Sequence, residues 1–298
     1  MFRRIKLISA TGQEIEIGED LDAYVLDQDG LNLGTVGATH NMTQFIDLIG
    51  KHLDSTILNP RDIAVTGWII GESESVIMER KILLNSLVNP MYQVTLQINN
   101  YALDFRPDAS IEYSTNYLEN NEYMCRFLIQ GTAPMPLYRL KNYNIYHQTV
   151  EYKSNFHFPF AIPKKKGIIF GYLPLESLAN MPNQGDVESG LTIIYTAKGG
   201  YVVNPKLVNN TTDQIVEVTY TLTDGSTMEI CTEMGNQYIT IKSHGNTYNG
   251  LRYLTKESDI DMVLYPGINK LDLYATEGME YLQASTQFTP RFLEVEGR

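Results

Sequence analysis

Residues 61–90, RDIAVTGWIIGESESVIMERKILLNSLVNP, combine the clearest strand pattern of this chain with its longest helix pattern. The segment RDIAVTGWIIG alternates around Trp68, which predicts a β-strand with an inward-facing, buried aromatic side chain. The residues that follow carry apolar side chains at helical spacing, with Ser73 or Ser75 as the expected N-cap. Pro90 disfavours the helical conformation of the residue before it, so the helix is predicted to end there.

The predicted helix has a basic residue within its apolar stripe. Arg80 lies between Val76 and Leu87 on a helical wheel. In one interpretation its aliphatic stem packs on the protein while the guanidinium reaches water at the helix edge. In the other, the guanidinium contacts a carboxylate of a neighbouring subunit. The sequence leaves both open, and Arg80 is our candidate for a subunit contact. The full stripe comprises Val76, Ile77, Leu83, Leu84, Leu87 and Val88.

Most of the remaining chain predicts short strands separated by turn residues. Thr11-Gly12 and Asn99-Asn100 separate alternating segments and predict hairpins, and residues 223–226, TDGS, are the strongest hairpin signal. Residues 35–60 show little periodicity and predict a long loop or an extended arm. Many short strands at near-regular intervals predict a mainly β protein built of sandwiches.

Composition and charge exclude several functional classes. The chain has 298 residues, enough for about two domains, and its net charge of −12 disfavours nucleic-acid binding. No apolar run is long enough for a membrane helix and no signal-peptide pattern opens the chain, so we expect a protein that stays in solution, with no membrane partner. Cys125 and Cys231 are predicted to be buried, reduced thiols.

No pattern of catalytic or metal-binding residues stands out. None of the five histidines is spaced with another His, Cys or carboxylate as metal ligands are. Asp27, Asp29, Gly30 and Asn32 resemble the start of a calcium-binding loop, but the closing glutamate is missing, so an acidic turn is the favoured interpretation. We therefore expect no catalytic residues, no metal and no cofactor, and a protein that is not an enzyme.

Several sequence segments, taken in their order along both halves of the chain, resemble those of a known family. In the first half they are RDIAVTGWIIG, LLNSLVNP and APMPLY. In the second half they are NFHFPFAIP, NQGDVESGLTIIYTAKGGYVVNPKLVNNTT, MEICTEMGNQYITI and LYPGINKLDLYATEGMEYLQASTQFTPRFLEV. In this order and spacing, across nearly the whole chain, they resemble the distal tail proteins of long-tailed phages.

The resemblance implies a mainly β protein with two domains. Residues 1–140 are expected to form a tail-tube-like β-sandwich with one short α-helix, residues 141–160 a linker, and residues 161–298 a galectin-like β-sandwich. The implied function is that of a structural virion protein at the phage tail tip. Copies of the protein would form a ring, commonly hexameric, that joins the tail tube to the tail-associated hub of the baseplate and carries receptor-binding proteins.

The resemblance suggests a role for a group of acidic residues near the N-terminus. A ring with a central channel must let phage DNA pass without binding it, and acidic side chains repel phosphate at short range. We therefore hypothesise that some members of this group face the channel or its rim. The group comprises Glu19, Asp20, Asp22, Asp27 and Asp29.

Carbohydrate binding and catalysis are the two alternatives to a role in assembly. A carbohydrate-binding, lectin-like module for host recognition would need exposed aromatic side chains, and the candidates are Tyr248, Tyr253 and Tyr265. A fold alone does not establish sugar binding, and the customary tryptophan platform is missing because the single tryptophan, Trp68, is predicted to be buried. An enzyme such as a glycosidase would need paired carboxylates, and no pattern pairs them.

Overall fold

A computed structural model describes residues 4–45, 49–119, 122–141, 144–149, 153–154, 171–172 and 179–295. Its contacts divide the chain into two units, residues 1–141 together with 292–298, and residues 142–291. The domain bounds expected from the sequence placed the C-terminal residues in the second domain, whereas they return to the first unit here. Most of the expected linker 141–160, and all of the segment NFHFPFAIP, lie outside the described residues.

Strands dominate both units, and the described residues contain one α-helix, α1 (Glu74–Leu87). Two short 3₁₀ turns cover Leu251–Tyr253 and Met279–Tyr281. The strands are β1 (Arg4–Ser9), β2 (Glu14–Gly18), β3 (Tyr24–Asn32), β4 (Ala38–Thr43), β5 (His52–Leu58), β6 (Arg61–Gly71), β7 (Val94–Ile98), β8 (Tyr101–Pro107), β9 (Glu112–Tyr113), β10 (Tyr117–Glu119), β11 (Glu122–Ala133), β12 (Tyr138–Leu140), β13 (Asn144–Thr149), β14 (Lys153–Ser154), β15 (Gly171–Tyr172), β16 (Ala179–Asn183), β17 (Ser189–Ala197), β18 (Val202–Val203), β19 (Lys206–Asn209), β20 (Gln214–Glu217), β21 (Thr221–Leu222), β22 (Thr227–Cys231), β23 (Tyr238–Ser243), β24 (Asn246–Asn249), β25 (Val263–Leu264), β26 (Gly267–Tyr274), β27 (Leu282–Phe288) and β28 (Arg291–Phe292).

The first unit is built on one sheet of eleven strands that closes on itself. The strand order is β10-β11-β6-β3-β2-β1-β7-β8-β12-β28, with β9 paired to β11. Closure follows because β11 pairs with β6 along its whole length and also with β8 through Gly131 and Thr132. The mainly β class is as predicted, but the sandwich expected for this half is not confirmed, since a single sheet surrounds the core.

Strand β6 corrects the prediction for the tryptophan. Ile63, Val65 and Ile69 face the core and are buried, whereas Trp68 lies on the opposite face and is only half-buried. The prediction of an inward, buried Trp68 was therefore wrong. Both faces of β6 carry apolar residues, so the alternation places Trp68 opposite Ile69 without indicating which face is inside. The Trp68 ring meets Tyr117 edge-on, with ring centroids 5.8 Å apart.

The helix begins and ends close to its predicted limits. Ser73 is the N-cap, and its Oγ accepts a hydrogen bond from the Val76 amide at 3.4 Å. Ile77, Leu84 and Leu87 are buried in the first core. Leu83 of the predicted apolar stripe is exposed instead. The buried stripe is therefore narrower than the sequence indicated.

In the second unit the described residues form two larger sheets and two short strand pairs. One sheet has the order β13-β27-β17-β22-β23-β24, with β25 paired to β17, and the other has the order β16-β26-β19-β20. Buried residues of both sheets join one apolar core, among them Ile193 and Tyr195 from β17 and Leu207 and Leu273 from the second sheet. The galectin-like arrangement remains a prediction.

The turn predictions were correct locally, but one was wrong in its topology. β7 and β8 form the predicted hairpin, in which Ile98 faces Tyr101 and Asn99 has a φ of 53°. The TDGS segment also forms a turn, with the Ser226 amide donating to the Thr223 carbonyl at 2.9 Å. Its flanking strands are not paired with each other, because β21 pairs with β18 while β22 pairs with β17 and β23. The segment is a turn between sheets and not a hairpin.

Three smaller expectations can be compared with the described residues. Cys125 and Cys231 are free and buried, as predicted. In the part of the chain that is described, no helix is long and apolar enough to cross a membrane. The same residues contain no group of three or more His, Cys, Asp or Glu side chains placed to hold a metal ion.

Candidate assembly surfaces

An exposed two-stranded arm, residues 38–58, interrupts the chain between β3 and β6. Its strands β4 and β5 pair with each other and with no other described strand. Every described residue from 38 to 57 is exposed. A two-stranded hairpin without a packed face is at best marginally stable in water. The arm therefore presents unpacked side chains to solvent. Its exposed apolar residues are Met42, Phe45, Ile49, Leu53 and Ile57.

The helix offers a second exposed apolar surface in the first unit. Met78, Ile82 and Leu83 project from α1 away from the core and are all exposed. Met78 and Ile82 are four residues apart and so lie on one helical face. We call these three residues the helix patch. Sequence reasoning missed it because Leu83 was assigned to the buried stripe, although the spacing of Met78 and Ile82 could have indicated a second apolar face.

Arg80 is engaged inside its own chain. Its Nη1 donates to the Ile70 carbonyl at the end of β6, and to the Asp22 carbonyl at 3.4 Å. In turn the Tyr24 hydroxyl donates to the Arg80 carbonyl at 3.0 Å. Burial raises the pKa of Tyr24, and the nearby Arg80 charge opposes part of that shift. These bonds hold α1 against the start of β3, and the subunit contact of Arg80 stays a prediction.

The five candidate acids lie in two short segments. Glu19, Asp20 and Asp22 occupy the turn between β2 and β3, and Asp27 and Asp29 lie in β3 itself. All are exposed apart from half-buried Asp27. The acidic turn predicted for Asp27, Asp29, Gly30 and Asn32 was therefore wrong, because this segment belongs to strand β3.

Two of these acids are neutralised by arginines within the first unit. The Asp20 carboxylate accepts from Arg4 Nε at 2.9 Å and from Arg4 Nη2 at 2.5 Å, and the hydrogen bond and charge of Asp20 raise the pKa of Arg4. Asp27 pairs with Arg126 Nη2 at 2.9 Å. Glu19, Asp22 and Asp29 form no ion pair with any described residue. These last three contribute the uncompensated negative charge of the region.

The three tyrosines proposed for sugar binding occupy separate elements. Tyr248 lies in the edge strand β24 and Tyr265 follows β25, and both are exposed. Tyr253 lies in a 3₁₀ turn, where its ring contacts Tyr220 with centroids 4.9 Å apart. Among the described residues, no ring contact joins any two of the three. No ring contact therefore supports a shared sugar-binding platform of these three residues.

Comparison with solved structures shows that this fold is similar to that of phage hub and baseplate proteins. The Dit protein of phage SPP1, described as a paradigm of the hub adsorption apparatus in phages that infect Gram-positive bacteria, matches with a TM-score of 0.64 and 13% identity over 97% of this chain and 99% of that chain. Two structures of the phage P2 baseplate in its activated conformation, with Ca and with Sr, each match with a TM-score of 0.50 and 12% identity over 97% of this chain and 98% of that chain. No family model and no curated protein matches the sequence.

By these comparisons, this chain has a fold that phage hub and baseplate proteins share. More particularly, the chain has the fold of the distal tail proteins, over nearly its whole length. The family resemblance indicated by the sequence segments is thereby confirmed at the level of the fold.

Proposed function

We propose that this protein is a structural component of a phage virion, located at the tail tip. Copies of it form a ring, which we take to be hexameric, between the tail tube and the hub of the baseplate. The second unit, as a galectin-like sandwich, offers surfaces for receptor-binding components. The fold shared with SPP1 Dit and the P2 baseplate supports this assignment.

The observation that carries the proposal is the unpacked arm. Ile57, Leu53 and Met42 are each at least half exposed on a hairpin that pairs with no other described strand. Exposing such apolar area costs roughly 25 cal/mol for each Å², so a monomer is disfavoured relative to an assembly that covers it. Unpaired strand edges favour the same outcome, because they are open to pairing with another chain.

The occupant that fits the arm is a second copy of this chain. The arm and the helix patch are both apolar, and both belong to the first unit. An arm that docks on the helix patch of the next copy makes a heterologous contact, in which different surfaces of the two copies meet. Such contacts generate a ring when the rotation between copies closes. Arg80 lies on the same helix as the patch, with its guanidinium bonded to the Ile70 and Asp22 carbonyls of its own chain, and we keep it as the candidate subunit contact.

The acids have a role in the same assembly. A channel that passes DNA must not bind phosphate, and uncompensated carboxylates repel it within about one Debye length, roughly 8 Å at physiological salt. Glu19, Asp22 and Asp29 are exposed and form no described ion pair. We propose that they face the channel or its rim, together with the arginine-paired Asp20 and Asp27.

The experiment is a pair of charge substitutions in the arm, read by light scattering. Wild-type protein is expected near six times the 33.8 kDa mass of one chain. Ile57→Lys should dissociate the ring into monomers at micromolar concentration, because an ammonium group buried in an apolar contact costs several kcal/mol. Ile82→Lys in the helix patch should have the same effect.

Thr56→Lys is the matched control, since Thr56 is the exposed neighbour of Ile57 and projects from the opposite face of β5. It should leave the ring intact. A wild-type monomer, or a ring that survives Ile57→Lys, would contradict the proposal. If the ring survives Ile82→Lys but not Ile57→Lys, the arm is still part of the contact between copies, but it does not dock on the helix patch.

A further inference from the structure

The second unit contains an open cleft of about 470 Å³ on its four-stranded sheet. In this sheet Lys206 of β19 is flanked by Glu217 of β20 and Tyr274 of β26. The residue next to each of these three in its strand (Leu207, Val216 and Leu273) is buried. Since successive strand residues point to opposite faces, Lys206, Glu217 and Tyr274 lie on the face of the sheet away from the core. The cleft is formed where this row meets the chain around Asn204 and Thr276. Its volume is that of a small-molecule site.

Tyr274 supplies an aromatic face to this cleft. Its side chain is 48% exposed, and its hydroxyl donates to Asp272 Oδ2 at 3.3 Å. The same Asp272 oxygen accepts from Asn210 Nδ2 at 2.6 Å. The negative π-face of an aromatic ring attracts the weakly positive C–H bonds on one face of a sugar ring.

Fixed donors and acceptors surround this aromatic face. Lys206 Nζ lies 3.6 Å from Glu217 Oε2, and both side chains are largely covered. On the other side, Asn204 has a left-handed backbone with a φ of 51°, and its Nδ2 donates to Thr276 Oγ1 at 3.3 Å. The ammonium donates, the carboxylate accepts, and the amide and hydroxyl groups do both. A ligand with several hydroxyl groups matches such a mixture, since each hydroxyl can also donate and accept.

The charges of the cleft favour a neutral ligand. Lys206 and Glu217 compensate each other, and two further carboxylates, Asp272 and Glu277, lie beside the aromatic ring and the cleft rim. A phosphate-bearing ligand would therefore meet net negative charge. The apolar lining is limited to Val208 and Ala275 besides the tyrosine ring, which is too little for a protein hot spot.

We propose that this cleft binds a neutral saccharide, with Tyr274 packed on one face of a sugar ring and with Lys206, Glu217 and Asn204 bonded to its hydroxyl groups. The site is separate from Tyr248, Tyr253 and Tyr265, and it does not rest on ring formation. An open cleft with one aromatic platform implies weak binding, with a dissociation constant on the order of 1 mM. Such a site gains strength when several copies bind one polymer.

The test is saturation-transfer NMR on the full chain. The neutral probes are methyl α-D-glucopyranoside, methyl β-D-galactopyranoside and N-acetylglucosamine, and the anionic probe is glycerol 3-phosphate. At least one neutral probe should receive saturation, most strongly at its ring C–H protons. Tyr274→Ala should weaken that binding by about tenfold or more, whereas Tyr274→Phe, which keeps the ring, should change it by less than about threefold.

Tyr248→Ala is the matched control, because Tyr248 is 45% exposed in the same unit but lies on another sheet. It should leave probe binding unchanged, while Lys206→Gln should weaken it without removing the aromatic face. Light scattering should show the wild-type assembly for every variant, which separates this test from that of the arm. Saturation of no neutral probe, binding that survives Tyr274→Ala, or binding of glycerol 3-phosphate alone would each overturn the proposal.

Discussion

At the residue scale, two buried tyrosines of this protein differ in how their hydroxyl groups are satisfied. Tyr138 lies in the first core, where its hydroxyl accepts from Arg61 Nη1 at 3.1 Å and its ring lies 4.7 Å from the guanidinium carbon. Tyr195 lies in the second core, where its hydroxyl has no partner among the described residues. A buried polar group without a partner costs roughly 1–3 kcal/mol, while a paired group stabilises the fold.

The same substitution should therefore have opposite effects at the two positions. Tyr195→Phe should raise the stability of the second unit by about 1 kcal/mol, because it removes an unpaired buried hydroxyl. Tyr138→Phe should lower the stability of the first unit by about 1 kcal/mol, because the buried Arg61 Nη1 loses its shorter bond and keeps only the longer one to the Leu33 carbonyl. Calorimetric melting of wild type and both variants measures the two effects. A destabilised Tyr195→Phe protein would show that the hydroxyl is paired in solution.

Tyr195 and Tyr238 give the stability of the second unit a pH dependence of definite sign. Burial raises the pKa of Tyr195 above the value near 10 that tyrosine has in an unfolded chain, and a hydrogen bond to Glu229 raises the pKa of Tyr238 to about 12. The folded state therefore keeps these protons longer than the unfolded state. Stability is fully present below pH 10 and is lost as the pH rises from about 10 to 12 and beyond. Tyr195→Phe should make the alkaline loss of stability less steep.

At the element scale, the short strand β28 completes the first unit although it comes from the end of the chain. Phe292 is buried there, with its ring edge-on to Tyr101 at a centroid distance of 5.2 Å. Arg61, buried in β6, donates to the Leu293 carbonyl at 2.5 Å. Val295 is also buried in the first core. A segment of four residues thus contributes two core side chains and an acceptor for a buried charge.

Alanine substitutions at two neighbouring residues of this segment, one buried and one exposed, should differ in how much they destabilise the first unit. Phe292→Ala should destabilise the first unit by about 3–4 kcal/mol through the cavity that it leaves. Leu293→Ala should cost less than about 1 kcal/mol, because its side chain is exposed and its carbonyl is retained. Urea unfolding followed by fluorescence of Trp68, which lies in the first unit, measures both. Equal losses for the two variants would contradict this assignment of β28 to the core.

At the scale of the whole molecule, the proposed ring predicts where the acids lie. A map of the assembled ring should show Glu19, Asp22 and Asp29 at the channel or its rim. Replacing all three by lysine should create a channel that retains DNA at low salt and releases it as salt rises, since counterion release governs phosphate binding. Glu112, Glu119 and Glu122, exposed in the first unit and outside both the arm and α1, give the matched triple lysine control. Finding the acids on the outer surface would end the channel hypothesis.

The secondary structure of this protein could be predicted from the sequence wherever neighbouring residues determine it. The alternation of RDIAVTGWIIG defines β6, Ser73 and Pro90 delimit α1, and Asn99-Asn100 defines a two-residue hairpin. The resemblance to distal tail proteins depended on the order of such signals along the chain and is confirmed for the fold. An exposed arm at residues 38–58 was one of two forms expected for that region. The cleft around Tyr274 was not predicted, because its members are up to 72 residues apart, as Asn204 and Thr276 are.

The sequence by itself determined which residues form strands, helix and turns, because dihedral preferences and side-chain periodicity act between residues only a few positions apart. Only the tertiary structure decided that Trp68 faces away from the core, that the TDGS turn connects different sheets, and that β28 returns to the first unit. It also decided that β11 joins β8 and closes the sheet. The physical reason is that periodicity specifies which side chains share a face, whereas burial depends on which distant surfaces meet, and that choice minimises the exposed apolar area of the whole chain.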